Sequence, residues 1–192
     1  MSNLPRGWVR APLKAAINMK YGKSLKKDQR KGRGYPVYGS NGVVGKHDEA
    51  ITNGVSIIIG RKGSIGEVHL SEGACWPIDT TYFIDDFAGM PSKYWYYLLK
   101  SLPLAELNKA TTIPGISRED INNLSIPVPP LNEQKQIANK LDRILKEVNS
   151  TKNRLNEIPI ILKNLRNSIL THAISGRLTE DWRNKRNIKL SS

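Results

Sequence analysis

Two glycine runs carry the side chains best suited to chemistry in this 192-residue chain. Gly39, Gly42 and Gly45 are spaced as Gly60, Gly63 and Gly66 are, and the first run presents Tyr38, Ser40 and Asn41, the second Arg61, Lys62 and Ser64. Amide, hydroxyl, ammonium and guanidinium donors on tight turns suit phosphate oxygens and the edges of bases. Taken singly, such runs also read as ordinary hairpin turns, and they match neither the G-x-G-x-x-G dinucleotide fingerprint nor the P-loop. Thr80, Thr81, Lys109, Thr111 and Thr112, polar donors in or beside turns, extend this candidate face. Upstream, Lys20, Lys23, Lys26, Lys27, Arg30, Lys31 and Arg33 stand against one acid, Asp28. Lys23, Lys26 and Lys27 are the candidate phosphate contacts there, a solvated loop being the alternative.

Catalytic constellations do not emerge from the same search. His47, His69 and His172 are isolated, with no H-E-x-x-H pair, and no G-x-S-x-G elbow occurs. Cys75, the single cysteine, lacks a nucleophile signature, excludes an internal disulfide and makes a reducing compartment the default. No cysteine or histidine pair has metal-ligand spacing. Glu133-Gln134-Lys135, with Asp120 upstream, imitates the E-x-K of a nuclease core but falls at the start of a helix after a proline pair. That one Pro-Pro is followed by Leu131 rather than an aromatic, so the amino-methyltransferase motif is missing too. The expectation is a non-catalytic chain with no metal or cofactor of its own.

Charge points the same way as the glycine turns. Thirty basic residues against 17 acidic give a net charge of +13 and a pI near 9.9. A positive field attracts polyanions, of which nucleic acid is the foremost in a cytoplasm, although a merely basic soluble protein would carry the same charge. The hydrophobic content of 39% is adequate for a core. The opening residues, broken by Pro5, Arg6, Arg10, Pro12 and Lys14, form no secretory signal, and no apolar run approaches membrane-spanning length. A cytoplasmic protein is expected.

The elements that must position these residues follow from periodicity. Residues 4–17 make an opening segment anchored by Trp8. Short β-rich runs between glycines occupy residues 35–84, and Ile57, Ile58 and Ile59 read as a buried strand. Residues 91–108 read as a helix capped by Ser92, with Tyr94, Trp95, Tyr97, Leu98 and Leu99 packing into a core. Ser117 and Asp120 form a capping box for a short helix beginning at Arg118, with Ile116 and Ile121 as its staple. Leu124–Val128 is extended, and Pro127, Pro129 and Pro130 end the domain.

Asn132 then caps the longest feature of the chain, spanning residues 131–172. Alternate steps of four and three residues pass through Ile137, Leu141, Ile144, Val148, Thr151, Leu155, Ile158, Leu162, Leu165, Ile169 and His172. Such a seam belongs to a long helix that buries its stripe against a partner helix, a rod of roughly 60 Å at 1.5 Å per residue. An amphipathic helix laid on its own domain is the alternative. Pro159, inside the seam, is expected to kink the helix or split it in two. The tail beyond is polar and basic, with Trp182 expected to dock.

The run TTIPGISREDINNLSIPVPPLNEQKQIANKLDRIL (Thr111 to Leu145), with STKNRLNEIPIILKNLRNSIL (Ser150 to Leu170) and GRLTEDWR (Gly176 to Arg183), resembles the specificity subunit of type I restriction-modification systems. The opening LPRGW and the runs YGSNGVVG and GRKGSIG are also similar to that family. The resemblance implies a target recognition domain followed by a spacer helix, a unit normally present twice in one polypeptide. Each recognition domain reads one half of a bipartite duplex DNA site, and the two spacers pack antiparallel so that their length fixes the unread gap. The assembly docks modification subunits that use S-adenosylmethionine and, through them, restriction subunits.

With one such unit, this sequence resembles a half-subunit, and the simplest expectation is a homodimer whose two-fold axis lies within about a heptad of Leu155. The expected organisation is an α/β (α+β) recognition domain with a mixed, β-rich core at residues 1–130, a coiled-coil-forming helix at 131–175 and a basic tail at 176–192. Its expected seam is Ile137, Leu141, Ile144, Val148, Leu155, Ile158, Leu162, Leu165 and Ile169. A coiled-coil scaffold without sequence-specific DNA binding, and a magnesium-dependent nuclease, are the rival readings.

Overall fold

The computed structural model describes residues 4–108 and 115–185, and its contacts group the chain into two units, Met1–Leu141 and Asp142–Ser192. The boundary between these units falls inside the long helix. In the first unit, strand β1 (Val9–Pro12) leads into a 3-10 turn, Leu13–Ala15. Then come β2 (Lys20–Tyr21), β3 (Tyr35–Gly39), β4 (Gly42–His47), β5 (Ser56–Gly60), β6 (Val68–Ser71), β7 (Trp76–Pro77) and β8 (Thr81–Ile84). Helices α1 (Ser92–Ser101) and α2 (Arg118–Asn122) precede β9 (Ser125–Val128). Helix α3 spans Leu131–Ile174, and α4 spans Glu180–Lys185.

The strands form three sheets, in the orders β1-β9, β2-β8-β5-β6 and β4-β3-β7. The first two are antiparallel; the third joins the antiparallel β3–β4 hairpin to a parallel β7. With helices set beside these sheets, the architecture is mixed α+β, as expected. Strand β5 is the most buried: Ile57, Ile58 and Ile59 are fully enclosed, because β5 pairs with a strand on each edge and is covered on both faces. Ile57 and Ile59 face the main core with Leu13, Met19, Tyr82, Trp95, Leu99 and Ile126. Ile58 points the other way, to Tyr38 and Cys75, as the two-residue period of a strand requires.

Local start and stop signals were partly displaced. Ser117 does precede α2, its hydroxyl accepting from the Glu119 N–H at 3.1 Å, and Ile116 and Ile121 are both buried around that cap. Ser92, expected to cap, is instead the first helical residue of α1, with extended Pro91 at the cap position. The helix also stops at Ser101, because Pro103 has no N–H to continue it, and Leu104–Leu107 makes a separate 3-10 turn. Asn132 lies inside the first turn of α3: the Pro130 carbonyl accepts from the N–H groups of Glu133 and Gln134 at 2.9 and 3.0 Å, so Pro130 holds the cap position, two residues earlier. Helix α3 continues through Pro159 as a single helix rather than two pieces. Residues 186–192 of the tail lie outside the described residues; within the described part, Trp182 sits on α4, half exposed.

Candidate nucleic-acid interface

The two glycine runs, far apart in sequence and rooted in different sheets, meet at one carbonyl oxygen. In the first, Gly39 pairs with Gly42 across a two-residue tip, Ser40–Asn41, and Gly42 takes a φ of +109° that L side chains rarely adopt. In the second, the chain leaves β5 at Gly60 and returns to β6, closed by Gly66 N–H to the Gly60 carbonyl at 2.9 Å. The Thr80 carbonyl oxygen, just before β8, accepts from Ser40 Oγ at 2.7 Å and from the N–H groups of Arg61 and Lys62 at 2.9 and 3.2 Å. A β-carbon on Gly60 would collide with the Ser64 carbonyl and lie 3.2 Å from Ser40 Cβ. Glycine there lets the second turn close on itself and leaves room for Ser40 of the first beside it.

This joint brings together most of the expected DNA face and sorts it by exposure. Asn41, Lys62 and Ser64 are exposed, while Arg61 and Thr80 are partly so. Tyr38, Ser40 and Thr81 lie beneath them, buried. Ser40 is committed to Thr80, and Thr81 Oγ1 donates to the Ile78 carbonyl at 2.7 Å, so these two hydroxyls hold the frame. Lys109, Thr111 and Thr112 lie outside the described residues. Their flanks are anchored: Gly115 N–H donates to Asn108 Oδ1 at 3.1 Å, and Gly115 forms a β-bridge with Lys62.

The basic segment also divides. Lys26 and Lys27 are exposed, and Lys23 Nζ lies 5.6 Å from the Trp76 ring centroid. Lys20, by contrast, is paired with Asp85 at 2.7 Å. Arg30 donates to the carbonyls of Val44 and Leu25 at 2.9 and 3.3 Å, so it fastens the segment to the β3–β4 hairpin instead of offering a free cation.

Beside Arg61 stands a cluster that no sequence pattern marks. Strand β2 pairs Tyr21 with Tyr82 of β8, and their rings meet edge to face at 5.0 Å. The Arg61 guanidinium lies 5.3 Å from the Tyr21 centroid and 5.7 Å from that of Tyr82, and the Arg118 guanidinium lies 4.9 Å from Tyr21. Burial, then the neighbouring Tyr21, pushes the Tyr82 phenol above its ordinary value of 10.0, and its hydroxyl donates to the Ile116 carbonyl at 2.9 Å. Tyr21 and Arg118 were not expected at the site, since they come from an edge strand and a helix start and are joined only by tertiary pairing.

The sequence profile of the type I restriction modification DNA specificity domain matches residues 5–159. The chain belongs to that specificity family. The specificity subunit of the type I restriction enzyme EcoKI, from Escherichia coli strain K12, is 31% identical over 215 aligned residues, covering 94% of this chain and 45% of that protein. The EcoDI specificity subunit of Escherichia coli is 40% identical over 109 residues, covering 56% of this chain and 24% of that protein. The fold matches the crystal structure of the HsdS subunit from Thermoanaerobacter tengcongensis with a TM-score of 0.70 at 24% identity, covering 90% of this chain and 46% of that one. The chain thus spans less than half the length of these members of the specificity family.

In this specificity-family chain the expected α3 seam is used unevenly. Ile137 packs on the main core beside buried Ala138, and Leu141 lines a groove with Trp8, Tyr94, Tyr97, Leu98 and Pro127. The Trp8 indole donates to Glu133 Oε2 at 2.9 Å, which gives the glutamate of the nuclease-like E-x-K a structural partner. Ile144, Val148, Leu155, Ile158, Leu162, Leu165 and Ile169 are all exposed, Leu155 to 60%. Among the described residues no helix is long and apolar enough to cross a membrane, and no group of three or more His, Cys, Asp or Glu residues could hold a metal ion.

Proposed function

We propose that this chain is a half-length DNA-recognition subunit of a type I restriction-modification assembly. Its first unit binds one half of a bipartite duplex DNA target, and its long helix pairs with that of a second copy to supply the other half. The pair directs modification subunits, which bring S-adenosylmethionine, and through them restriction subunits. This chain itself makes and breaks no bond, and it works in the cytoplasm.

The observation that carries the reading is the convergence at the Thr80 carbonyl, which sets exposed Asn41, Lys62 and Ser64 on one rigid joint between two sheets. Cationic and backbone contacts to phosphates fix register, and exposed amide and hydroxyl groups beside them can reach base edges in a groove. The net charge of +13 supports the polyanion, and the names of the related subunits support the kind of assembly. The pairing is supported by the bare apolar stripe of α3: seven seam positions from Ile144 to Ile169 are exposed, and water-exposed stripes of this regularity are satisfied by a second helix.

Selection from a randomised duplex library, with and without modification subunits, tests the function. Enrichment of two short motifs at a fixed separation is expected. Enrichment under neither condition would replace the recognition reading with that of a scaffold protein.

A further inference from the structure

We propose that Arg61 and Arg118, both held against the ring of Tyr21, form a site for one phosphodiester of duplex DNA, at the edge of the second glycine turn. The proposal rests on the DNA-binding reading above and names a contact that the reading does not need. Its geometry comes from three separate elements. Tyr21 is half exposed on edge strand β2, Arg61 follows β5, and Arg118 opens α2. Their guanidinium carbons lie 5.3 and 4.9 Å from one ring centroid.

The cluster is fixed before any ligand arrives. Tyr82, buried and bonded to the Ile116 carbonyl, sets the edge against which Tyr21 rests. Arg61 Nη1 donates to the Asp79 carbonyl at 3.2 Å, and Arg118 Nη1 to the Met19 carbonyl at 3.3 Å. A guanidinium carries five N–H donors in a planar fork, so one carbonyl bond leaves most of each fork for an anion. Two cations held against one aromatic ring concentrate positive charge at this point of the surface, which a bound anion would offset. A tetrahedral phosphodiester suits paired forks, and arginines already stacked lose little freedom on binding it.

A base edge fits less well. Both guanidinia are tethered to carbonyls of the fold and do not stand on free arms, whereas groove reading requires side chains that project. Exposed Lys62, next to Arg61, continues the positive surface from this cluster to the glycine turns, so the phosphate held here would set the register in which those turns meet the bases.

The test is a salt titration of the full chain with a short duplex of random sequence. Arg118→Gln should bind about 3- to 10-fold more weakly, with the slope of log affinity against log salt shallower by about one and the loss equal on selected and random duplexes. Arg118→Lys, which keeps the charge, should keep the slope. Thermal unfolding of each variant monitors the fold. Unchanged affinity and slope in Arg118→Gln would overturn the site, as would a slope in Arg118→Lys as shallow as in Arg118→Gln, which would mark a structural role. A changed sequence preference would also overturn it, by making Arg118 a base reader. Wild-type protein that binds random duplex but selects no motif would sink the sequence-recognition reading alone; wild-type protein that binds no duplex would sink both.

Discussion

Ser40 Oγ donates a 2.7 Å hydrogen bond to the carbonyl oxygen of Thr80, the same oxygen that accepts from the backbone of Arg61 and Lys62. One acceptor thereby ties the tip of the β3–β4 hairpin to the β5–β6 turn, and the exposed donors on both move as one piece. Ser40→Ala removes the side-chain strand of this joint while two backbone donors keep the oxygen satisfied. Its cost should therefore be that of one net hydrogen bond, about 1 kcal/mol in urea-induced unfolding. An unchanged midpoint would show that the backbone donors alone carry the joint.

Lys62 and Arg61 should separate binding from stability. Lys62 is exposed, so Lys62→Ala should leave unfolding within roughly 0.5 kcal/mol of wild type while flattening the salt dependence of DNA binding by about one unit of slope. Arg61→Ala should flatten the slope and also lower the unfolding midpoint, because Arg61 lies against both Tyr21 and Tyr82. Unchanged affinity and slope in both variants would remove this turn from the interface.

Tyr94 gives the first unit an alkaline limit. Burial, then the neighbouring Glu133, pushes its phenol from 10.0 up to about 12, and the hydroxyl donates to the Pro127 carbonyl at 3.2 Å. A group whose folded value is raised contributes stability that is fully present below its unfolded value and is lost as pH rises through the folded one. Stability should therefore hold up to about pH 10 and fall between 10 and 12. Tyr94→Phe should show a smaller loss across that interval, read from denaturant midpoints at successive pH values; an identical loss would place the alkaline sensitivity elsewhere, Tyr82 being the next group to test.

Much of the fold was legible because it is local. The isoleucine run of β5, the start of α2 after Ser117, the extended segment before the proline pair and the stripe of α3 each announce themselves within a few residues. Legibility failed where non-local structure or a neighbouring proline decided. Pro91 took the cap position expected of Ser92, and the Pro130 carbonyl opened α3 ahead of Asn132. Both glycine runs could be read as turns carrying donors, but their meeting at Thr80 depends on how separate sheets pack. Tyr21 and Arg118 have no period, motif or neighbour in sequence that points to Arg61, since they are assembled by the β2–β8 pairing and the placement of α2. The buried side chains of Tyr38 and Ser40 illustrate the converse: a polar residue in the right turn can serve the frame beneath a binding surface.

The pairing of two copies is the claim on which the bipartite reading turns, and duplex selection by wild type and Leu155→Asp tests it most directly. Leu155 is 60% exposed in the single chain, so an aspartate there costs the isolated fold little, whereas in a helix pair it would bury an unpaired charge. Wild-type protein should enrich one short motif twice, in inverted orientation at a single separation, and Leu155→Asp should enrich the same motif once with no fixed spacing. A wild-type selection that yields only single motifs, or a Leu155→Asp selection that keeps the paired spacing, would contradict the two-copy reader.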